Sequence, residues 1–310
     1  MSALSSARLN AVYLGFNTAF KDGLSGEATP LAEIFLDTKS TAAKEAYEWL
    51  NTIGGLTEFT GEGKFDDLST SGYEISNREY QAGVSVKSID ITRDREGFYK
   101  PSFQMLGTRA NQHKDELIGE LLIGGFTNKD YTTKNFFDTD KKHAPNIAGG
   151  KAKTPTFSNK GTKKFSAANY QVARLSIMSR LDRDGRPLRL GKKLKLIVGS
   201  ATYTAARETV VTETLPGGGR NPDAGTAELV LMPEIDASAN PNAWFLIECG
   251  LPVKALIFQD EVPVVLESQT DSSSDNVFTK KEFRYQAYGS RGAGYGLPQM
   301  AYGSTGADAA

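Results

Sequence analysis

The period of the hydrophobic positions changes along the chain, and each change marks a predicted element. In "LNAVYLGFNTAFKDGL" Val12, Phe16, Ala19 and Phe20 recur at helical spacing, and Gly23 offers a stop. "TPLAEIFLDTKS" predicts a second short helix with Thr29 and Pro30 at its cap and first turn, and "TAAKEAYEWLNTIGG" a third that ends at a glycine pair. Three short amphipathic pieces separated by loops make a poor core of their own, so this region reads as an arm laid across other structure. From Tyr73 the period shifts toward two. "SGYEISNREYQAGVSVKSIDIT" offers extended runs through Val84 and Val86, with a change of phase before Ile89 and Ile91, and "RDREGFYKP" reads as a charged turn whose side chains face solvent.

The helical period returns in "FQMLGTRANQHKDELIGELLIGGF". There Met105, Ala110, Leu117, Leu121 and Leu122 share one broad face, and Gly124 and Gly125 end a long helix. The polar, basic stretch after it predicts a loop with short strands. A further helix is expected from Ser166, with Ala167, Ala168, Tyr170, Ala173, Leu175, Ile177, Met178 and Leu181 inward. "KLKLIVGS" predicts a strand, "ATYTAARETVVTETL" a helix, and "PGGGRNPDAGT" a flexible loop; "AELVLMPEI", "AWFLIECG", "VKALIFQ" and "VPVVLES" predict separate strands. In "EFRYQAYG" Phe283, Tyr285 and Ala287 alternate with Glu282, Arg284, Gln286 and Tyr288, as in a strand with one packed face. The glycines that follow, from Gly289 to Gly296, suit a closely packed return of backbone. The pattern is α+β throughout.

Charge changes the picture because it is segregated. The net charge is −1, but residues 1–133 sum to −6, residues 134–195 to +12 and residues 196–310 to −7. A basic block between acidic ones can bind nucleic acid without regard to sequence, or can pair with acidic surfaces of neighbouring subunits. It lacks the interleaved aromatics of a single-strand stacking platform. There is no basic segment followed by an apolar block at the start and no run approaching eighteen apolar residues, so a soluble, non-secreted protein without membrane contact is expected.

Candidate chemistry adds little. "GGGRNPDAGT" lacks the lysine and hydroxyl of a phosphate-binding loop, and "GSRGAGYG" runs into Leu297 and Pro298 without a helix to point at a pyrophosphate. "LDRDGRPLRLGKK" begins like a calcium loop, but Lys193 stands where the bidentate Glu is required, so an Asp-Gly turn explains it better. His113, His143 and the single cysteine, Cys249, show no zinc-ligand spacing; His113 reads as a surface residue and Cys249 as a core thiol. No nucleophile elbow is present. Dispersed carboxylates leave an enzyme conceivable, but nothing prefers that to surface charge.

One ordered set of motifs carries a resemblance. "FNTAFKDGL", "YEISNREYQAGVSVKSIDITRDREGFYKPSFQMLGTRA", "NFFDTDKKH", "FSNKGTKKFSAANYQVARLSIMSRLDRDGRPL", "NPDAGTAELVLMPEI" and the closing "DNVFTKKEFRYQAYGSRGAGYGLPQMAYGS" resemble, in that order, the major head subunit family of Mu-like bacteriophages and prophages. The resemblance implies the HK97-like phage capsid fold. An N-terminal arm would span residues 1–55, an extended loop region 56–100, a peripheral domain with the long helix 101–189, an axial domain 190–265, and a C-terminal return strand and turn 266–310. It further implies a structural protein of the virion, assembled in the host bacterial cytoplasm from copies of itself in hexamers and pentamers. A scaffolding protein and a portal at one vertex would be partners, with room for decoration proteins, and double-stranded DNA would be enclosed by nonspecific contact. No catalytic residue, cofactor or metal is assigned, and none of the crosslinking residues of the best-known capsid of this fold can be matched. Candidate intersubunit contacts are Arg93, Arg95, Arg284 and Arg291. The alternative is a nucleic-acid-binding module using residues 134–195.

Overall fold

The computed structural model describes residues 5–26, 29–47, 50, 73–93, 95–142, 156–182, 186–215, 217–271 and 273–308. Its helices are α1 (Ser6–Leu24), α2 (Ser88–Thr92), α3 (Lys100–Gly124), α4 (Ala167–Met178) and α5 (Ser200–Val210). Its strands are β1 (Phe35–Lys39), β2 (Lys44–Ala46), β3 (Glu74–Ser76), β4 (Arg78–Lys87), β5 (Lys141–Lys142), β6 (Thr156–Phe157), β7 (Lys160–Lys163), β8 (Leu194–Val198), β9 (Glu228–Leu231), β10 (Trp244–Glu248), β11 (Leu256–Gln269), β12 (Glu282–Tyr295) and β13 (Ala301–Asp308).

Two sheets organise these elements. One has the order β1-β11-β12-β4, and the other β7-β13-β10-β8-β9. The long antiparallel pair β11 and β12 forms the backbone of the first; β1 joins it in parallel and β4 antiparallel. The second is mixed, with β10 antiparallel to both of its neighbours and β7 and β9 parallel at the edges. Two cores form, and the larger joins the five-stranded sheet to β1, the start of β11 and the end of β12 in the other. Under the five-stranded sheet, fully buried strands such as Trp244–Glu248 pack with α4, α5 and the C-terminal half of α3, while Val12, Phe16 and Phe20 of α1 pack with Phe103 of α3 and Phe283 and Tyr285 of β12. Strands buried on both faces read as unbroken apolar runs, which is why "AWFLIE" and "KLKLIV" stood out.

α1 begins at Ser5, whose hydroxyl accepts from the Arg8 N–H, and its Phe16 ring stacks on Phe103 at 4.1 Å between centroids. The helices α1 and α3 cross so closely that a Cβ on Gly23 would collide with the Gln104 carbonyl, and one on Gly107 with that of Phe20. α3 carries Pro101 in its first turn, where the missing N–H costs nothing, and its 25 residues make a rod of about 37 Å. It spans both cores.

Several expectations are corrected. "TPLAEIFLDTKS" ends in β1 rather than forming a helix, because parallel pairing of Phe35–Lys39 with β11 and burial of Ile34 and Phe35 override local helical preference. "TAAKEAYEWLNTIGG" contributes β2, antiparallel to β3; its residues 48, 49 and 51–55 lie outside the described residues. "VKALIFQ" and "VPVVLES" are one strand, β11. Register shifts between Asp260 and Val262 and between Val262 and Val265 accommodate Pro263, which has no N–H to give. α4 starts at the expected cap, Ser166, but buries Tyr170, Ala173 and Ile177 while Leu175 is 64% and Met178 42% exposed. Likewise Met105 of α3 faces outward.

The segment "YEISNREYQAGVSVKSIDITRDREGFY" is not a free two-stranded loop. β4 pairs with β12 over its whole length, Val86 is buried against the core of α1, and the phase change before Ile89 is α2, which turns Ile91 inward and leaves Ile89 exposed. The first part of the expected loop region, residues 56–72, lies outside the described residues. The two sheets also cut across the expected borders at 190 and 265, since β7 and β13 complete the five-stranded sheet and β11 belongs to the other.

Candidate functional site

The side chains with chemical potential are placed in structural settings. Cys249 is buried beside β10 and its thiol is pushed up to about 12 by burial, which removes its nucleophilicity at neutral pH. His113 is half-buried on α3, edge-on to Tyr80 at 4.2 Å, and burial lowers its pKa, with the Arg291 charge acting in the same direction. Among the described residues no three His, Cys, Asp or Glu side chains gather as metal ligands.

The closing glycines belong to β12 itself; the turn comes later, at Gly296–Met300. A Cβ on Gly292 would lie 2.7 Å from the Ser76 carbonyl and one on Gly294 2.9 Å from the Tyr73 hydroxyl, so the bare strand lets Tyr73–Ser76 cross its face. The crossing is fixed by a buried polar network. Tyr47 donates to Gln259 Oε1 at 2.7 Å, Gln259 Nε2 donates to the Ile75 carbonyl and to Asn77 Oδ1, and Asn77 Nδ2 donates to Ser40 Oγ and the Ala42 carbonyl. The bonds of Gln259 join β11 to Tyr47, Ile75 and Asn77 at the strand pair β2 and β3, and those of Asn77 tie the end of that pair to the turn before β2.

The four candidate contact residues separate. Arg93 and Arg95 are exposed at the end of α2, Arg95 lying 3.9 Å from Asp90. Arg284 is exposed on the outer face of β12, opposite Tyr285. Arg291, in contrast, is inside the chain. Its guanidinium lies 3.2 Å from Asp260 as an ion pair without hydrogen-bond alignment, donates to the Ala110 carbonyl at 3.2 Å and covers the Phe258 ring, so its charge is spent on its own chain.

The basic block is dispersed in the same way. Lys195 reaches Glu33 at 3.2 Å and Glu228 at 3.1 Å, Lys193 pairs with Glu33, and Arg174 lies 3.8 Å from Asp223. Arg180 is buried over the Phe157 ring with its Nε and Nη2 on backbone carbonyls of Ser176 and Ser158. Among the described residues, several charges of this block therefore meet acidic partners within one subunit.

One pair escaped the sequence. Lys141 and Asp130 have fully buried side chains 2.5 Å apart, and the ammonium also donates to the Thr132 hydroxyl and the Asn135 carbonyl. Burial pushes the carboxyl up and the amine down, and each holds the other charged. Lys141 sits among four other cations and carboxylates of "KNFFDTDKK", and no local signal tells which one turns inward.

Comparisons with known proteins agree with this architecture. The sequence model of the Mu-like prophage major head subunit gpT family matches residues 9–165, 156–235 and 233–308. The chain is 26% identical over 302 residues to the Mu-like prophage FluMu major head subunit of Haemophilus influenzae (strain ATCC 51907 / DSM 11121 / KW20 / Rd), covering 97% of this chain and 74% of that protein. To the major capsid protein of Escherichia phage Mu it is 25% identical over 298 residues, covering 96% and 73%. Among solved structures, a chain of the bacteriophage JBD30 procapsid superposes with a TM-score of 0.62 at 24% identity, covering 97% of this chain and 75% of that one. A virus-like particle chain from Pyrococcus furiosus does so at 0.51 with 10% identity, covering 93% and 97%. Together with two sheets bridged by a long helix, these place the fold in the HK97-like capsid class. The chain belongs to the Mu-like prophage major head subunit family.

Proposed function

We propose that the chain assembles with copies of itself, as hexamers and pentamers, into the icosahedral head of a Mu-like phage particle that encloses double-stranded DNA. The observation that carries this is the family match, which runs from residue 9 to residue 308. The task is structural and needs no catalytic group. The five-stranded sheet with α4 and α5 acts as the axial domain at the capsomer centre, and the four-stranded sheet with α3 as the peripheral domain. The segment leaving β2 and returning at β3 acts as the extended loop, and the N-terminal residues as the arm. A scaffolding protein sets curvature during assembly in the host bacterial cytoplasm, a portal occupies one vertex, and decoration proteins bind the finished shell. DNA touches the interior without sequence preference, as a container for any genome requires.

The test is to express the chain with and without a candidate scaffolding protein, and to examine products by negative-stain microscopy and light scattering. Hollow shells, tubes or capsomers are expected, formed without DNA. A stably folded protein that yields no higher assembly under either condition overturns the proposal.

A further inference from the structure

Among the described residues the two most exposed large hydrophobic side chains are Phe98, at 83%, and Phe278, at 71%. They lie far apart in sequence but at the same end of the subunit. Phe98 closes the turn Glu96–Phe98 ahead of α3, and Glu96 is held by Arg8 at the start of α1. Phe278 lies in the turn Asn276–Lys280 that joins β11 to β12, just before the point where Glu282 pairs with Lys87 of β4. A cleft of about 780 Å³ opens at this end, lined by Leu9 and Tyr13 of α1, by Phe283, by Phe278 and by Asp271. An exposed apolar surface of this kind, rimmed by charge, marks an association site.

The rim is complementary to itself. The exposed cations Arg93 and Arg95 stand on the Phe98 side. Asp271 and Asp275 stand on the Phe278 side, exposed and without an ion pair among the described residues, with Lys280 exposed in the same turn and Lys281 held over the Phe278 ring at 5.2 Å. Arg93 beside the Phe98 knob and Asp271 in the cleft lining are opposite charges on one molecule that can meet only between copies, which favours a second copy of that molecule as the occupant.

We propose that this end docks on the same end of a second copy, with Phe98 of one chain seated in the cleft beside Phe278 of the next and Arg93 facing Asp271. The proposal rests on the shell-forming function above and names one contact within it. Knob and cleft are different surfaces, so the contact is heterologous and closes around a symmetry axis. Each ring buries on the order of 150–200 Å². That is well below the ~1,200 Å² of a stable pairwise complex, so free subunits stay apart through this end and the contact forms where other contacts already hold the copies.

The test uses the buried, unreactive Cys249 as a silent background. Chains carrying Phe98→Cys with an affinity tag are co-assembled with untagged Phe278→Cys chains and oxidised. A disulfide-linked heterodimer is expected in assembled particles and not in the unassembled mixture. Separately, Arg93→Asp and Asp271→Arg each lower particle yield at least tenfold with unchanged melting of the free subunit, and the two together restore it. Parent particles that form while no heterodimer appears overturn this contact and leave the shell function standing, as does charge reversal without effect on yield. A parent chain that makes no assembly at all overturns both.

Discussion

The pair Asp130–Lys141 offers the sharpest test of how the loop after α3 is held. Both side chains are fully buried. At 2.5 Å their attraction is roughly 6–7 kcal/mol for an effective dielectric near 20, which is of the same order as the cost of taking two charges from water. The intact pair therefore adds little net stability, but either charge alone is a large liability. Lys141→Met should destabilise the subunit by about 3–5 kcal/mol, since it leaves a buried carboxylate without its cation. Asp130→Asn in the same chain should recover about half of this, because the amide oxygen can still accept from the Thr132 N–H and hydroxyl that Asp130 Oδ1 serves now. pH provides an independent readout. In Lys141→Met, burial raises the Asp130 carboxyl with no cation to oppose it, so the folded state binds a proton more readily than the unfolded. The deficit is then largest above the folded pKa and shrinks as pH falls through it. Urea unfolding of the unassembled subunit between pH 5 and 8 measures both effects. A loss below about 1 kcal/mol, or a double variant no better than the single one, refutes the reasoning.

Other consequences can be checked on the same material. Gly107→Ala should cost about 1–3 kcal/mol or more in thermal unfolding, since its Cβ meets the Phe20 carbonyl, whereas Gly97→Ala, with nothing within 4 Å, should be close to neutral. Glu248 accepts from the N–H groups of Gly191, Lys192, Lys193 and Gly250, so Glu248→Ala should speed amide hydrogen exchange at 191–193 and destabilise by about 2 kcal/mol. Cys249 should resist alkylation at pH 8 in the folded subunit and react fully in urea; rapid labelling without unfolding would contradict its burial.

What the sequence revealed depended on whether the decisive partner was local. The strand "EFRYQAYG" was legible because its period reports one buried face directly, and Phe283, Tyr285 and Ala287 are all buried as that alternation required; α3 was legible as a helix, but of its expected face Leu122 is buried while Met105 is exposed. β1 was not, because "EIFLDTK" becomes a strand only by lying parallel to a segment more than two hundred residues away. α4 was half legible. Its start at Ser166 was right, but it ends at Met178, before the expected inward Leu181; an apolar residue at every third or fourth position marks a core face only when the other face is polar, and here Val172, Leu175 and Met178 are apolar and exposed. The glycines of β12 were legible in kind but not in partner. They signal close approach of backbone in general, and only the tertiary structure shows that the approaching chain is Tyr73–Ser76. The family resemblance supplied what periodicity could not, since the order of motifs is a global property of the chain.

The last expectation concerns Arg291, whose candidate role as a contact is replaced by an internal one. It lies opposite Asp260, immediately beside the register shifts of β11, and ties that point to the Ala110 carbonyl of α3. Bulges bend and twist a strand, so the angle between the two halves of the hairpin depends on what braces the bend. Arg291→Met keeps apolar cover over Phe258 and leaves Asp260 with Lys114 at 3.8 Å, so the subunit still folds, losing about 1–3 kcal/mol for the lost hydrogen bond to the Ala110 carbonyl and the weakened ion pair. The angle, however, loses its brace. A shell repeats one subunit many times, and a spread of a few degrees in each is compounded around the closure. Shells of the variant should therefore show a broader distribution of diameters, with tubes or open sheets among them, when compared with the parent by negative-stain microscopy under the same scaffold. A variant that folds and gives the parent's diameter distribution would mean that the bend is fixed by the strand backbone alone, and that Arg291 stabilises the subunit without shaping the head.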